Sequence, residues 1–121
     1  MEKIVQNIYD DILELSDLNL QKKLWLNDSN DTGQISSYVE VMCRLFDDND
    51  FNGFVEQVTV KIGLPVELIS ELIVLRTLLQ KYNEKESDAK IIMDPKWNEI
   101  VEQAKLVIKK WNKIGRNTEA I

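Results

Sequence analysis

The chain contains no histidine. The commonest general base and the commonest metal ligand are both missing. Zinc sites built on cysteine and histidine are excluded, as are Ser-His-Asp and Cys-His catalytic constellations. Carboxylate or lysine chemistry is all that remains open to an enzyme. There is one cysteine, Cys43, so no internal disulfide can form, which fits a reducing cytoplasm. Its neighbours Met42 and Leu45 suggest a buried thiol rather than a nucleophile, which needs a base or positive surroundings. No apolar run approaches the roughly 18 residues that span a bilayer. The stretch Met1-Glu2-Lys3-Ile4-Val5-Gln6-Asn7 lacks the apolar core of a signal peptide. There is no internal repeat, no low-complexity segment and no convincing strand.

What is present is one domain's worth of ordinary globular sequence, 121 residues long, with charge spread unevenly. Residues 24–60 hold seven acids, Asp28, Asp31, Glu40, Asp47, Asp48, Asp50 and Glu56, and one base, Arg44. That segment carries −6, the formal charge of the whole chain, and the remainder sums to zero. An acidic surface repels nucleic acid and anionic lipid, so neither nucleic acid nor membrane is expected as a partner; it attracts basic proteins or cations.

Apolar spacing predicts an all-α fold, a compact bundle of five to six helices over residues 1–121. Helix one covers about Glu2 to Leu15, with Ile4, Val5, Ile8, Ile12 and Leu15 on one face and Asp10, Asp11 and Glu14 away from it. Helix two covers Leu18 to Leu26, followed by a polar loop from Asn27 to Gly33. Ser37 with Glu40 reads as a capping box opening helix three, whose expected stripe is Ile35, Tyr38, Val39, Met42, Leu45 and Phe46. Asp50 is placed to cap helix four, with Phe51, Phe54, Val55, Val58 and Ile62 in register and Gly63 at its C′ position. Helix five follows Pro65 and is apolar nearly all round, which predicts a place at the centre of the bundle. A charged connection runs from Lys81 to Asp88. Asp94-Pro95 then opens helix six, with Trp97, Ile100, Val101, Ala104, Ile108 and Trp111 at helical spacing. Gly115 is expected to stop it and residues 116–121 to form a loose tail.

Two loops match the start of an EF-hand calcium loop, Asp48 to Val55 and Asp28 to Ile35. Position twelve requires a bidentate glutamate, and here it is Thr59 or Val39. A calcium-binding helical protein is therefore a minor alternative, and no metal or other cofactor is expected. Asp10 with Glu14, and Glu67 with Glu71, are carboxylate pairs at i, i+4. Exposed helical faces produce such pairs routinely, so no catalytic residue is assigned and the chain is not expected to be an enzyme. Trp97 and Trp111 are expected in the core. Trp25, at the edge of the acidic segment, is core or a partly exposed anchor for a partner.

The stretch Trp25-Leu26-Asn27, with Ile35-Ser36-Ser37-Tyr38-Val39-Glu40 and Leu45-Phe46-Asp47-Asp48, resembles small immunity proteins of bacterial polymorphic toxin and contact-dependent growth inhibition (CDI) systems. The resemblance covers about a third of the chain and rests on a Ser-Ser-x-x-Glu to Phe-Asp-Asp pattern. It implies a cytoplasmic protein that binds and blocks the catalytic domain of a cognate toxin, often a basic nuclease. Charge agrees independently, because a nuclease site is cationic and an acidic patch can occupy it. The expected partner-binding residues are Trp25, Asp28, Asp31, Tyr38, Glu40, Asp47, Asp48, Asp50 and Glu56, with Trp25 and Tyr38 as apolar anchors. The other reading is a helical adaptor or regulatory domain for another basic protein.

Overall fold

The structure is a computed structural model that describes residues 2–119, with side chains over 3–114. Among the described residues there are seven helices and no strand. They are α1 (Glu2–Leu15), α2 (Leu18–Leu26), α3 (Tyr38–Met42, continuing as the π-helical Cys43–Asp48), α4 (Phe51–Gly53, then π-helical Phe54–Val58, then Thr59–Lys61), α5 (Val66–Lys81), α6 (Asp88–Met93) and α7 (Pro95–Glu119). No helix is long and apolar enough to cross a membrane.

The boundaries follow from local chemistry. Asp17 caps α2 by accepting from the Leu20 amide, and Asn27 ends it in the left-handed region at φ 54°. Ser37 caps α3 through the Glu40 amide at 3.0 Å. The return arm of the box is diverted, since the Glu40 carboxylate lies 3.7 Å from Arg44. Asp50 caps α4 through the Gly53 amide. A Cβ on Gly53 would fall 2.2 Å from the Asp50 carboxylate, so the cap needs a glycine there. Gly63, at φ 76°, closes α4. Its amide bonds the Val60 carbonyl and the Leu64 amide bonds that of Thr59, the paired pattern of a Schellman ending. Asp94 accepts from the Lys96 amide just ahead of Pro95, as expected for that pair.

Three expectations about the helices need correcting. Between the charged connection and Asp94-Pro95, where no helix was expected, the chain forms α6, capped by Ser87 and anchored by the buried Ile91 and Ile92. Gly115 does not stop the last helix, whose backbone continues to Glu119, because one glycine weakens a helix without breaking it. The loose tail expected over 116–121 ends in residues outside the described ones. Finally, α5 is buried along one face rather than all round. Leu68, Leu72, Leu75 and Leu79 are inside, while Ile73 and Val74 are 41% and 43% exposed.

The position nearest the centre belongs to α7, which packs on α1, α5 and α6. Trp97, Ile100, Val101, Ala104, Val107 and Ile108 are buried along it, and Trp111 is half-buried against Phe54 and Tyr9. Trp97 has no exposed surface, and its ring is 5.2–5.8 Å from those of Trp25, Tyr38 and Tyr82. Its indole N–H donates to the Gln21 side-chain oxygen at 2.9 Å. The Gln21 amide in turn donates to the carbonyls of Glu14 and Leu15. One fully buried glutamine thus joins the end of α1, the start of α2 and the core of α7.

The two faces of α5 separate cleanly by mutation. Leu72→Ala should lower unfolding free energy by about 2–5 kcal/mol in urea or thermal denaturation. Ile73→Ala should cost less than about 1 kcal/mol.

Candidate functional site

The seven acids of the 24–60 segment are all exposed. They are not equally free. Asp31 lies 3.4 Å from Lys23, and Glu56 reaches across to Arg76 of α5 at 3.1 Å. Glu40 faces Arg44, and Asp50 is occupied as a helix cap. Asp28, Asp47 and Asp48 have no basic partner among the described residues. The two expected anchors are corrected: Trp25 and Tyr38 are 8% and 7% exposed. They sit edge to face in the aromatic cluster around Trp97, so neither offers its ring to a partner. Cys43, expected to be buried, is exposed.

The reason for these reversals lies in α3. The expected stripe ran through Ile35, Tyr38, Val39, Met42, Leu45 and Phe46; Tyr38 and Leu45 do turn inward, together with Val41, which lay outside that stripe. Val41 is wholly buried, while Ile35 and Val39 are 74% and 54% exposed. The turn then widens to π geometry from Cys43, which rotates the following residues relative to an α-helical count.

On that widened turn, Arg44 points back to α1. Its Nε donates to Asp11 at 3.1 Å and its terminal nitrogen to Glu14 at 2.9 Å. The same Glu14 carboxylate accepts from the Trp25 indole at 2.9 Å and the Ser36 hydroxyl at 2.8 Å. Asp11 and Glu14 are 5% and 8% exposed, not on the outer face where their distance from the apolar stripe had placed them. They flank the buried Ile8, Ile12 and Leu15, and α3 covers that flank. Burial pushes the Asp11 carboxyl above the ordinary carboxylate range, while the Arg44 guanidinium pulls it part of the way back. Burial opposes the Arg44 charge too, but Glu14, Asp11 and Glu40 outweigh it and raise its pKa.

An open cleft of about 410 Å³ lies over this cluster. Asn7, Asp10, Gln34 and Asp48 form its outer wall, above Asp11, Glu14, Arg44 and Asn49. The fold therefore brings Asp48 together with three acids of α1 that the sequence did not connect to it, while Glu56 is drawn away toward α5. The available signal was Arg44 itself, a lone base among seven acids.

The carboxylate pairs seen in the sequence are split. Asp10 is exposed and bonds Gln6, whereas Glu14 turns inward. Glu71 is held by Lys110 at 2.7 Å and by Gln103, while Glu67 is exposed. Among the described residues no group of three or more acids, cysteines or histidines is arranged to hold a metal ion. In the two EF-hand-like loops some of the oxygens serve the chain itself, as Asp50 does for the Gly53 amide. Asn30 accepts from the Thr32 amide and hydroxyl, and Thr59 is buried with its hydroxyl on the Val55 carbonyl.

The arrangement is that of an all-α domain carrying an uncompensated acidic face over a buried ion cluster. Comparison with protein-family models, with curated proteins and with solved structures gives no match.

Removing the guanidinium strands two buried carboxylates. Arg44→Met should cost about 2–3 kcal/mol at neutral pH, below the value for a fully buried pair because part of Arg44 is solvated. The Asp11 pKa is higher folded than unfolded, so its contribution favours the fold while it is protonated and is lost as pH rises through its folded value. The stability of wild type relative to Asp11→Asn should therefore fall as pH rises above the ordinary aspartate range. Denaturation midpoints measured from pH 4 upward check this, and a flat difference would contradict it.

Proposed function

We propose that this is an immunity protein, which binds and neutralises a cognate toxin domain, a basic nuclease, in the cytoplasm. It acts by binding and not by catalysis. The observation that carries the reading is the concentration of all the net charge in residues 24–60, together with the fate of that segment's only base. Arg44 is taken up by Asp11 and Glu14 from α1 and faces Glu40 at 3.7 Å, so among the described residues it does not pair with Asp28, Asp47 or Asp48. Asp28, Asp47 and Asp48 are left exposed without counter-charges among the described residues, and the cleft beside Asp48 adds Asp10. A nuclease site is cationic because it holds phosphates, so such a face is complementary to it in charge and accelerates encounter over distance. The resemblance of the Trp25 to Asp48 region to CDI-type immunity proteins supports the same reading.

The test is co-expression with the product of the neighbouring reading frame, followed by association kinetics over a salt series. Wild type should associate fast at low salt and slow steeply as salt rises. Asp47→Lys combined with Asp48→Lys should slow association by roughly tenfold or more and flatten the salt dependence. Lys109→Glu, on the exposed side of α7, should leave the rate nearly unchanged. Lys110 is unsuited as a control because it is paired with Glu71. Equimolar mixing should also abolish the partner's nuclease activity, which an adaptor would not do. A doubly substituted variant that associates as fast as wild type at low salt would sink the assignment.

A further inference from the structure

With Trp25 and Tyr38 in the core, the acidic face lacks the apolar contact that holds a complex together once charge has brought it about. Four large aliphatic side chains within the same segment remain exposed, Val60 at 68% and, within residues 26–39, Leu26 at 39%, Ile35 at 74% and Val39 at 54%. A single exposed aliphatic side chain is unremarkable, but the chain path brings the stretches that carry the last three close together. The Ser36 amide donates to the Leu24 carbonyl at 2.9 Å, laying residues 34–36 along the last turn of α2 that ends in Leu26. Val39 follows in the first turn of α3.

Ile35 is also held in place from both sides. On one side the Gln34 carbonyl accepts from Asn30 at 2.6 Å, and on the other the Ser36 hydroxyl is bonded to the buried Glu14. Its backbone is therefore fixed before any partner arrives, which reduces the ordering cost of binding. Gln34 forms part of the wall of the acidic cleft, and Ile35 is the next residue along the chain.

We infer that Ile35 and Val39, with Leu26 beside them, are the apolar anchor of the partner interface. The occupant is a basic protein surface that presents an apolar side chain ringed by lysine or arginine. The apolar side chain meets Ile35 and Val39, and the surrounding cations face Asp28, Glu40, Asp47 and Asp48. Charge complementarity selects this occupant over a second copy of the chain, since two such faces would repel. The inference rests on the proposed function, and it moves the adhesive contact from the aromatic residues to these aliphatic ones.

The probe is the purified toxin catalytic domain encoded by the neighbouring reading frame, with binding followed by surface interferometry. Ile35→Ser and Val39→Ser should each speed dissociation by roughly tenfold while leaving association within about twofold. Val66→Ser, at a side chain as exposed as Ile35 but outside the acidic segment, should change neither rate. Unchanged thermal melting of each variant excludes misfolding as the cause. If Ile35→Ser and Val39→Ser dissociate like wild type while the Asp47 and Asp48 charge reversals still slow association, the acidic face stands and this anchor is wrong. No binding by wild type would end both proposals. A homodimer in sedimentation equilibrium that Ile35→Ser dissolves would assign the patch to a second copy and overturn the inference.

Discussion

The Glu14 carboxylate is 8% exposed and takes hydrogen bonds or an ion pair from three different parts of the chain. Trp25 reaches it from α2, Ser36 from the following loop and Arg44 from α3. A carboxylate removed from water is costly unless its lone pairs are occupied by donors of this kind. Each of these partners consequently has a required position. The Trp25 indole must turn inward, the 34–36 segment must lie close to α2, and Arg44 must turn toward α1. The aromatic cluster around Trp97 and the outward display of Ile35 both follow from that requirement.

The π-helical turns of α3 and α4 make this geometry possible. A widened turn changes the angular step between residues, so the side chains beyond it face directions that α-helical spacing does not predict. In α3 it accompanies Arg44 facing α1 and Cys43 facing solvent. In α4 it puts the small Thr59 into the core, with its hydroxyl satisfied by the Val55 carbonyl, and leaves Ile62 40% exposed.

Charge and packing are linked through the same cluster. The acids of α1 engage the only base of the 24–60 segment, so Asp28, Asp47 and Asp48 keep their negative charge unpaired among the described residues although the domain as a whole has many lysines. Those lysines are elsewhere, several of them paired, as Lys110 is with Glu71.

The sequence by itself determined the helices and most of their ends. Ser37, Asp50, Gly63 and Asp94-Pro95 act through atoms within a few residues, so their roles could be read locally. The uneven charge was equally legible, because counting needs no fold. The short helix at Asp88–Met93 escaped because its reason for existing is the burial of Ile91 and Ile92 by distant elements. Only the tertiary structure decided which side of each helix is inside. Asp11 and Glu14 are buried because α3 covers them, Ile73 and Val74 are exposed because nothing covers that side of α5, and Trp25 and Tyr38 are core because Trp97, some sixty residues away or more along the chain, packs between them. Periodicity tells which residues share a face. It does not tell which face another part of the chain will meet, because that contact is made between residues whose separation in sequence carries no local signal.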